Sequence, residues 1–119
     1  MLVGSCHCGA VKVTVPRRPR RLTNCNCSMC RRLGALWAYY PVDQVHVQAA
    51  PGATEAYVWG DKTLRTVRCK SCGCVTYWEP LQRKPQSKMG VNARAFDPHD
   101  IGNPRIRLFD GATTWRYID

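Results

Sequence analysis

The sequence predicts a mainly β protein, a small antiparallel β-sandwich with one short helix and a four-cysteine zinc clamp. Three observations carry this. Short runs rich in β-branched and aromatic residues recur between turn residues. Only one stretch has the punctuation of a helix. And 8 cysteines gather in three tight clusters within 119 residues.

In chain order the strand candidates are AVKVTV (10–15), LWAYYPV (36–42), VHVQA (45–49), EAYVW (55–59), LRTVRC (64–69), CVTYWEP (74–80), SKMGVN (87–92), RIRLF (105–109) and WRYI (115–118). Turns are expected at Pro51-Gly52, Gly60-Asp61, Pro80, Pro98, Asn103-Pro104 and Asp110-Gly111, each restricted or freed in its backbone. The exception is SMCRRL, residues 28–33, which reads as a short helix. Ser28 is placed to cap it and Gly34 to end it in the left-handed conformation. The aromatics Trp37, Tyr39, Tyr40, Tyr57, Trp59, Tyr77 and Trp78 are expected to pack the sheets, with one or two lining a pocket.

A chain of 119 residues has room for one core, so residues 1–119 form a single domain. The hydrophobic fraction of 45% and charged fraction of 22% are those of a globular protein. The start, MLVGSCHCGAVKV, lacks a basic segment followed by a long apolar one, and no apolar run is long enough to span a bilayer. A cytoplasmic protein with no membrane contact is therefore expected. In that reducing compartment clustered cysteines are thiolate ligands in preference to a disulfide framework.

The net charge of +10 favours anionic partners. The densest basic run, PRRPRR (16–21), contains two prolines and reads as an exposed loop. The remaining cations are scattered, with no recognition helix or stacking motif, which argues against nucleic acid as the partner.

The cysteines fall as Cys6 and Cys8, as Cys25, Cys27 and Cys30, and as Cys69, Cys72 and Cys74. A structural zinc takes four ligands in a closed tetrahedron, and no cluster supplies four. The CKSCG knuckle (69–73) brings Cys69 and Cys72 to one ion, and Cys6 with Cys8 are the natural second pair. Such a clamp could contribute on the order of 10 kcal/mol to folding.

That assignment leaves Cys25, Cys27 and Cys30 with no obvious fourth ligand. Three protein ligands and an open position is the usual build of a catalytic zinc site. The alternative is that Cys74, His7 or His46 closes it and makes it structural. Cys74 also fits as a small buried strand residue. The helix N-terminus and the cations of Arg31 and Arg32 favour thiolates in this cluster.

The chain resembles the glutathione-dependent formaldehyde-activating family, which includes centromere protein V. The matching pieces are GSCHCGAVKVTV (4–15), CNCSMCRRLGA (25–35), YVWGDKTLRTVRCKSCG (57–73), GVNARAFDP (90–98) and TTWRYID (113–119), in order along nearly the whole chain. The resemblance implies a tent-like β fold related to zinc ribbons. By motif, it makes Cys6, Cys8, Cys69 and Cys72 the ligands of a structural zinc, and Cys25, Cys27 and Cys30 those of a second, labile and catalytic one. The implied activity is that of a carbon–sulfur lyase of the S-(hydroxymethyl)glutathione synthase type, with glutathione or a similar thiol as cosubstrate and formaldehyde as the type aldehyde. Cys74, where the family commonly has serine, and the GVNARAFDP stretch depart from its usual pattern, and both bear on substrate more than on fold.

On this reading the second zinc binds the thiol or polarises the aldehyde, while Arg31, Arg32 and the 17–21 loop hold carboxylates of the cosubstrate. No general base stands out, since His7 lies between two clamp ligands and His46 alternates with Val45 and Val47 as an outward strand residue. The small-molecule reading fits a monomer or a homodimer. The rival is a non-catalytic zinc-binding module contacting protein or nucleic acid, which follows if the second site is closed.

Overall fold

A computed structural model describes all 119 residues. Eleven strands form two sheets: β1 (Leu2–Ser5), β2 (Val11–Val15), β3 (Arg21–Cys25), β4 (Trp37–Pro41), β5 (His46–Ala49), β6 (Thr54–Tyr57), β7 (Leu64–Cys69), β8 (Val75–Pro80), β9 (Lys88–Asn92), β10 (Arg105–Asp110) and β11 (Arg116–Tyr117). The small sheet has the order β1-β2-β5, and the large one β11-β10-β3-β4-β9-β8-β7-β6. Neither is closed into a barrel. The fold is mainly β, as the sequence predicts, and no helix is long and apolar enough to cross a membrane.

The core lies between the sheets. In β2 the alternation VKVTV buries Val11, Val13 and Val15, the period-two pattern of a strand with one face covered. Val13 and Val15 meet Leu22, Ala38, Tyr40, Met89 and Val91 from the central strands of the large sheet. Each fully buried side chain of this size contributes roughly 1.5–3 kcal/mol. Gly4 admits the Phe96 ring, which would come within 2.8 Å of a Cβ there.

All strand pairs are antiparallel except β3 with β10, which run parallel. The strands RLTNC and LVGS are absent from the sequence reading. β3 is polar, and its place in the sheet comes from β10, over 80 residues later, and from β4. The helix α1 (Ser28–Leu33) has the predicted bounds, and Gly34 ends it at φ 66°. Its N-cap is Cys27, not Ser28: the Cys27 sulfur accepts from the Cys30 amide at 3.3 Å. A second short helix, α2 (Pro98–Ile101), begins where a turn was expected, with Asp97 capping the His99 amide and Pro98 in the first turn.

The aromatics divide. Trp37, Tyr40 and Tyr77 are buried as expected, whereas Tyr57 and Trp59 lie exposed at the edge strand β6 and beyond it. Tyr39, 42% exposed, points the opposite way from its neighbours Ala38 and Tyr40.

Candidate metal centres and basic pocket

The chain brings two groups of cysteines together, in each of which the sulfurs lie within 4.8 Å of one another: Cys6, Cys8, Cys69 and Cys72, and Cys25, Cys27 and Cys30. All eight cysteines are free thiols.

The first group joins the turn after β1 to the turn after β7. Gly9 (φ 87°) and Gly73 (φ 79°) take the left-handed conformation next to Cys8 and Cys72, which lets each turn fold back on its ligands. The Gly73 amide donates to the Cys69 carbonyl and the Val11 amide to the Cys6 sulfur. Tetrahedral zinc with Zn–S near 2.3 Å places its sulfurs about 3.8 Å apart. Cys6 to Cys8 is 3.7 Å and Cys8 to Cys69 is 3.5 Å, so the donor set fits that ion. The amides of Cys74 and Cys8 bring the Cys72 thiol down to about 5. At Cys8 the Ala10 amide pulls the same way, but the neighbouring sulfurs, Cys69 first, push its thiol up to about 11. Four sulfurs this close do not all ionise on their own, and a divalent cation among them makes that possible.

The second group is built where β3 runs into α1. Cys25 ends the strand, Cys27 caps the helix and Cys30 sits in its first turn. The Trp37 Nε1–H donates to the Cys30 sulfur at 3.3 Å. Burial pushes the Cys30 thiol well up, against the pull of Trp37. At Cys27 burial is outweighed by the amide of Cys30 and by the neighbouring thiols, which lower it. No fourth His, Cys, Asp or Glu joins this group. Cys74 is exposed, not buried, and lies beside the first cluster, where its amide donates to Cys72. His7 and His46 are exposed on the turn after β1 and on β5.

The loop between β10 and β11 covers the second group. A Cβ on Gly111 would stand 2.7 Å from the Cys25 sulfur and 3.3 Å from Cys27 Cβ. Asn26, between two ligands, ties that loop down by donating to Asp110 Oδ1 and accepting from the Ala112 amide. Thr114 donates to the other Asp110 oxygen, and these bonds, with Asn26 first, hold the Asp110 carboxyl below the usual carboxylate range.

Beside this cluster the large sheet carries a cavity of about 730 Å³. Arg21, Thr23 and Cys25 alternate onto one face of β3. The parallel register sets Arg105 beside Arg21, Arg107 beside Thr23 and Phe109 beside Cys25. Lys88 on β9, two strands from β3, pairs with Pro41 of β4, and the loop before β3 adds Arg17, Arg18 and Arg20 to the wall. Thr23 Oγ1 and the Tyr117 hydroxyl share a hydrogen bond of 2.9 Å in the cavity. Partial burial of the ring, with the charges of Tyr117, Cys25 and Cys30, outweighs the hydrogen bond with Thr23 and keeps the Tyr39 phenol protonated well above its ordinary range.

Arg31 and Arg32 stand elsewhere. They occupy the last turn of α1, and Arg32 donates to the Ser28 carbonyl and lines a different hollow with His7 and Cys74. The cations that share the cavity with Tyr39 and Tyr117 are those of the 17–21 loop together with Lys88, Arg105 and Arg107, of which sequence reasoning marked only the loop. Its one signal for the others was the alternation in RIRLF, which places Arg105 and Arg107 on one strand face.

A crystal structure of a Rhodobacter sphaeroides protein has a similar fold, with a TM-score of 0.71 at 29% identity over 88% of this chain and 99% of that one. The family model described as glutathione-dependent formaldehyde-activating enzyme matches residues 1–112. With that match over almost its whole length, this chain belongs to the glutathione-dependent formaldehyde-activating enzyme family.

Proposed function

We propose that the protein is a zinc-dependent carbon–sulfur lyase that joins and releases a thiol and a small aldehyde at the Cys25, Cys27 and Cys30 site. The observation that carries this is the contrast in ligand number: four sulfurs gather in one cluster and three in the other, with a cavity alongside. A zinc ion held by three thiolates would supply a Lewis acid with one exchangeable position. On this reading Cys6, Cys8, Cys69 and Cys72 hold the structural zinc.

In the joining direction the thiol gives its proton to solvent, its sulfur donates an electron pair to the carbonyl carbon, the C=O π pair moves to oxygen, and that oxygen takes a proton from a group that solvent then reprotonates. Release runs the same steps backwards. Tyr39, which keeps its proton and lines the cavity with Thr23 and Tyr117, serves as the proton donor, and Thr23 with Tyr117 provides a hydroxyl pair beside it. The cations on β3, β9 and β10 hold the anionic part of the thiol. The loop at Gly111, pinned by Asn26, shields the Cys25 ligand sulfur from bulk water. Arg31 and Arg32 take no part in this cavity, and Arg32 lines a separate hollow of about 580 Å³.

The test is zinc stoichiometry together with turnover of formaldehyde and a panel of thiols, in the natural protein and in Cys27→Ser. Two zincs in the natural protein, and a folded variant with one zinc and at least about 100-fold less turnover, is the expected result. Absence of turnover with every thiol tried would reject the proposal.

A further inference from the structure

The basic cavity is charged beyond what glutathione needs. Its wall contains seven cations and no carboxylate. Asp119 alone approaches, at 3.3 Å from Arg107 and 3.7 Å from Arg105. Arg20, Arg21 and Lys88 have no acidic partner anywhere in the ion pairs of the chain. The Arg107 guanidinium lies 4.0 Å above the Tyr117 ring, and its Nε is buried with no hydrogen-bond partner. Like charges crowded into one concave wall repel, and an anion of matching charge removes that cost.

Charge and length identify the anion. Glutathione brings two carboxylates and one ammonium, a net charge of about −1, whereas a single phosphate monoester brings about −1.5 to −2 with three strong acceptor oxygens. Guanidinium forks match phosphate oxygens in pairs, and six of the seven cations are arginines. Arg21 and Arg105 lie four strand residues from Cys25 and Phe109, about 13 Å along the sheet at the rise of extended chain. Glutathione carries its sulfur on the middle residue, so even with its γ-glutamyl link each carboxylate lies within only about 8–10 Å of the sulfur.

We propose that this cavity is a phosphate-binding site, and that the thiol partner of this chain is one whose far end carries phosphate on a long arm. The second half rests on the thiol–aldehyde reading of the three-cysteine site; the first half stands without it. Sulfur lies at the Cys25 end of the β3 face and phosphate at the Arg21 end, with Thr23 and Tyr117 between them.

Two measurements on the zinc-loaded protein decide this. Titration calorimetry at low ionic strength compares inorganic pyrophosphate with succinate. Pyrophosphate is expected to bind at least about tenfold tighter, to weaken steeply with added salt, and to lose at least about tenfold in Arg21→Gln/Arg105→Gln at unchanged zinc content. Lys88→Gln, on a different strand, is expected to weaken it as well. Equal binding of the two anions, full retention in these variants, or displacement of pyrophosphate by a single-stranded oligonucleotide at lower concentration than by coenzyme A would overturn the site. The second measurement is kcat/KM for formaldehyde with coenzyme A, whose thiol arm ends in phosphates, against glutathione. A preference of about tenfold or more for coenzyme A is expected. A preference for glutathione overturns the phosphate-bearing thiol and leaves the lyase intact. Inactivity with both thiols, and with the wider panel, removes the lyase reading and the thiol half with it, while the calorimetry still decides the phosphate site.

Discussion

The two cysteine clusters are made of the same ligand type at similar spacing, yet they differ in what surrounds them. The first closes on itself: two turns, each with a left-handed glycine, supply two sulfurs apiece, and Cys69 is fully buried at the end of β7. The second is built along one stretch of chain from the end of β3 into α1, and its three sulfurs have the loop at Gly111 against them and no fourth ligand. A cross-link between distant segments contributes to folding. Three ligands on one continuous segment constrain little of the chain.

Loss of a clamp ligand is the largest effect this contrast predicts. Zinc in such sites supplies on the order of 10–16 kcal/mol, so Cys69→Ser is expected to cost several kcal/mol and to leave the protein unfolded at 37 °C, read by circular dichroism and zinc content. The matching change in the second cluster, Cys27→Ser, is expected to leave the melting temperature within a few degrees. Similar destabilisation by both would break the comparison.

Graded chelation separates the clusters without mutation. The three-ligand site is expected to release its zinc at chelator concentrations at least about tenfold lower than the four-ligand site. Only the second release is expected to coincide with unfolding, followed by tryptophan fluorescence. A single release step concurrent with unfolding would mean that the sites are equally closed.

Gly111→Ala probes the loop over the open cluster. The new Cβ meets the Cys25 sulfur at 2.7 Å, so loop and ligand must separate. Misplacement on this scale is expected to lower turnover by about 10- to 100-fold with little loss of stability. The smallest effect is at the helix cap. Serine caps well and alanine does not, so Cys27→Ala is expected to be about 1 kcal/mol less stable than Cys27→Ser while both lose the same activity. Equal stability in urea would show that the cap contributes nothing.

Local chemistry in the sequence was enough for the helix at Ser28–Leu33 and for nine of the strands, because alternation, glycine and proline act over a few residues. β3 escaped because RLTNC is polar and finds its partners in β10 and β4, which no local pattern expresses. α2 was legible in principle: Asp97 followed by Pro98 is a helix start, read instead as a turn. Cys27 as N-cap was hidden because its sulfur serves the helix and the cluster together. The exposed Trp59 and Tyr57 went the same way, since an edge strand shares its composition with a central one.

By itself, then, the sequence determined the strand-rich architecture, the number and spacing of thiolates, and the excess of positive charge, all of which are properties of residue type and short separation. Which face of the large sheet carries charge, and that this face also holds the three-cysteine cluster, was decided only by the tertiary structure. The parallel pairing of β3 with β10 does this, because strand register sets Arg105, Arg107 and Phe109 beside Arg21, Thr23 and Cys25 across more than 80 residues of chain. Alternation along a strand says that two residues share a face; only long-range packing says what that face looks upon.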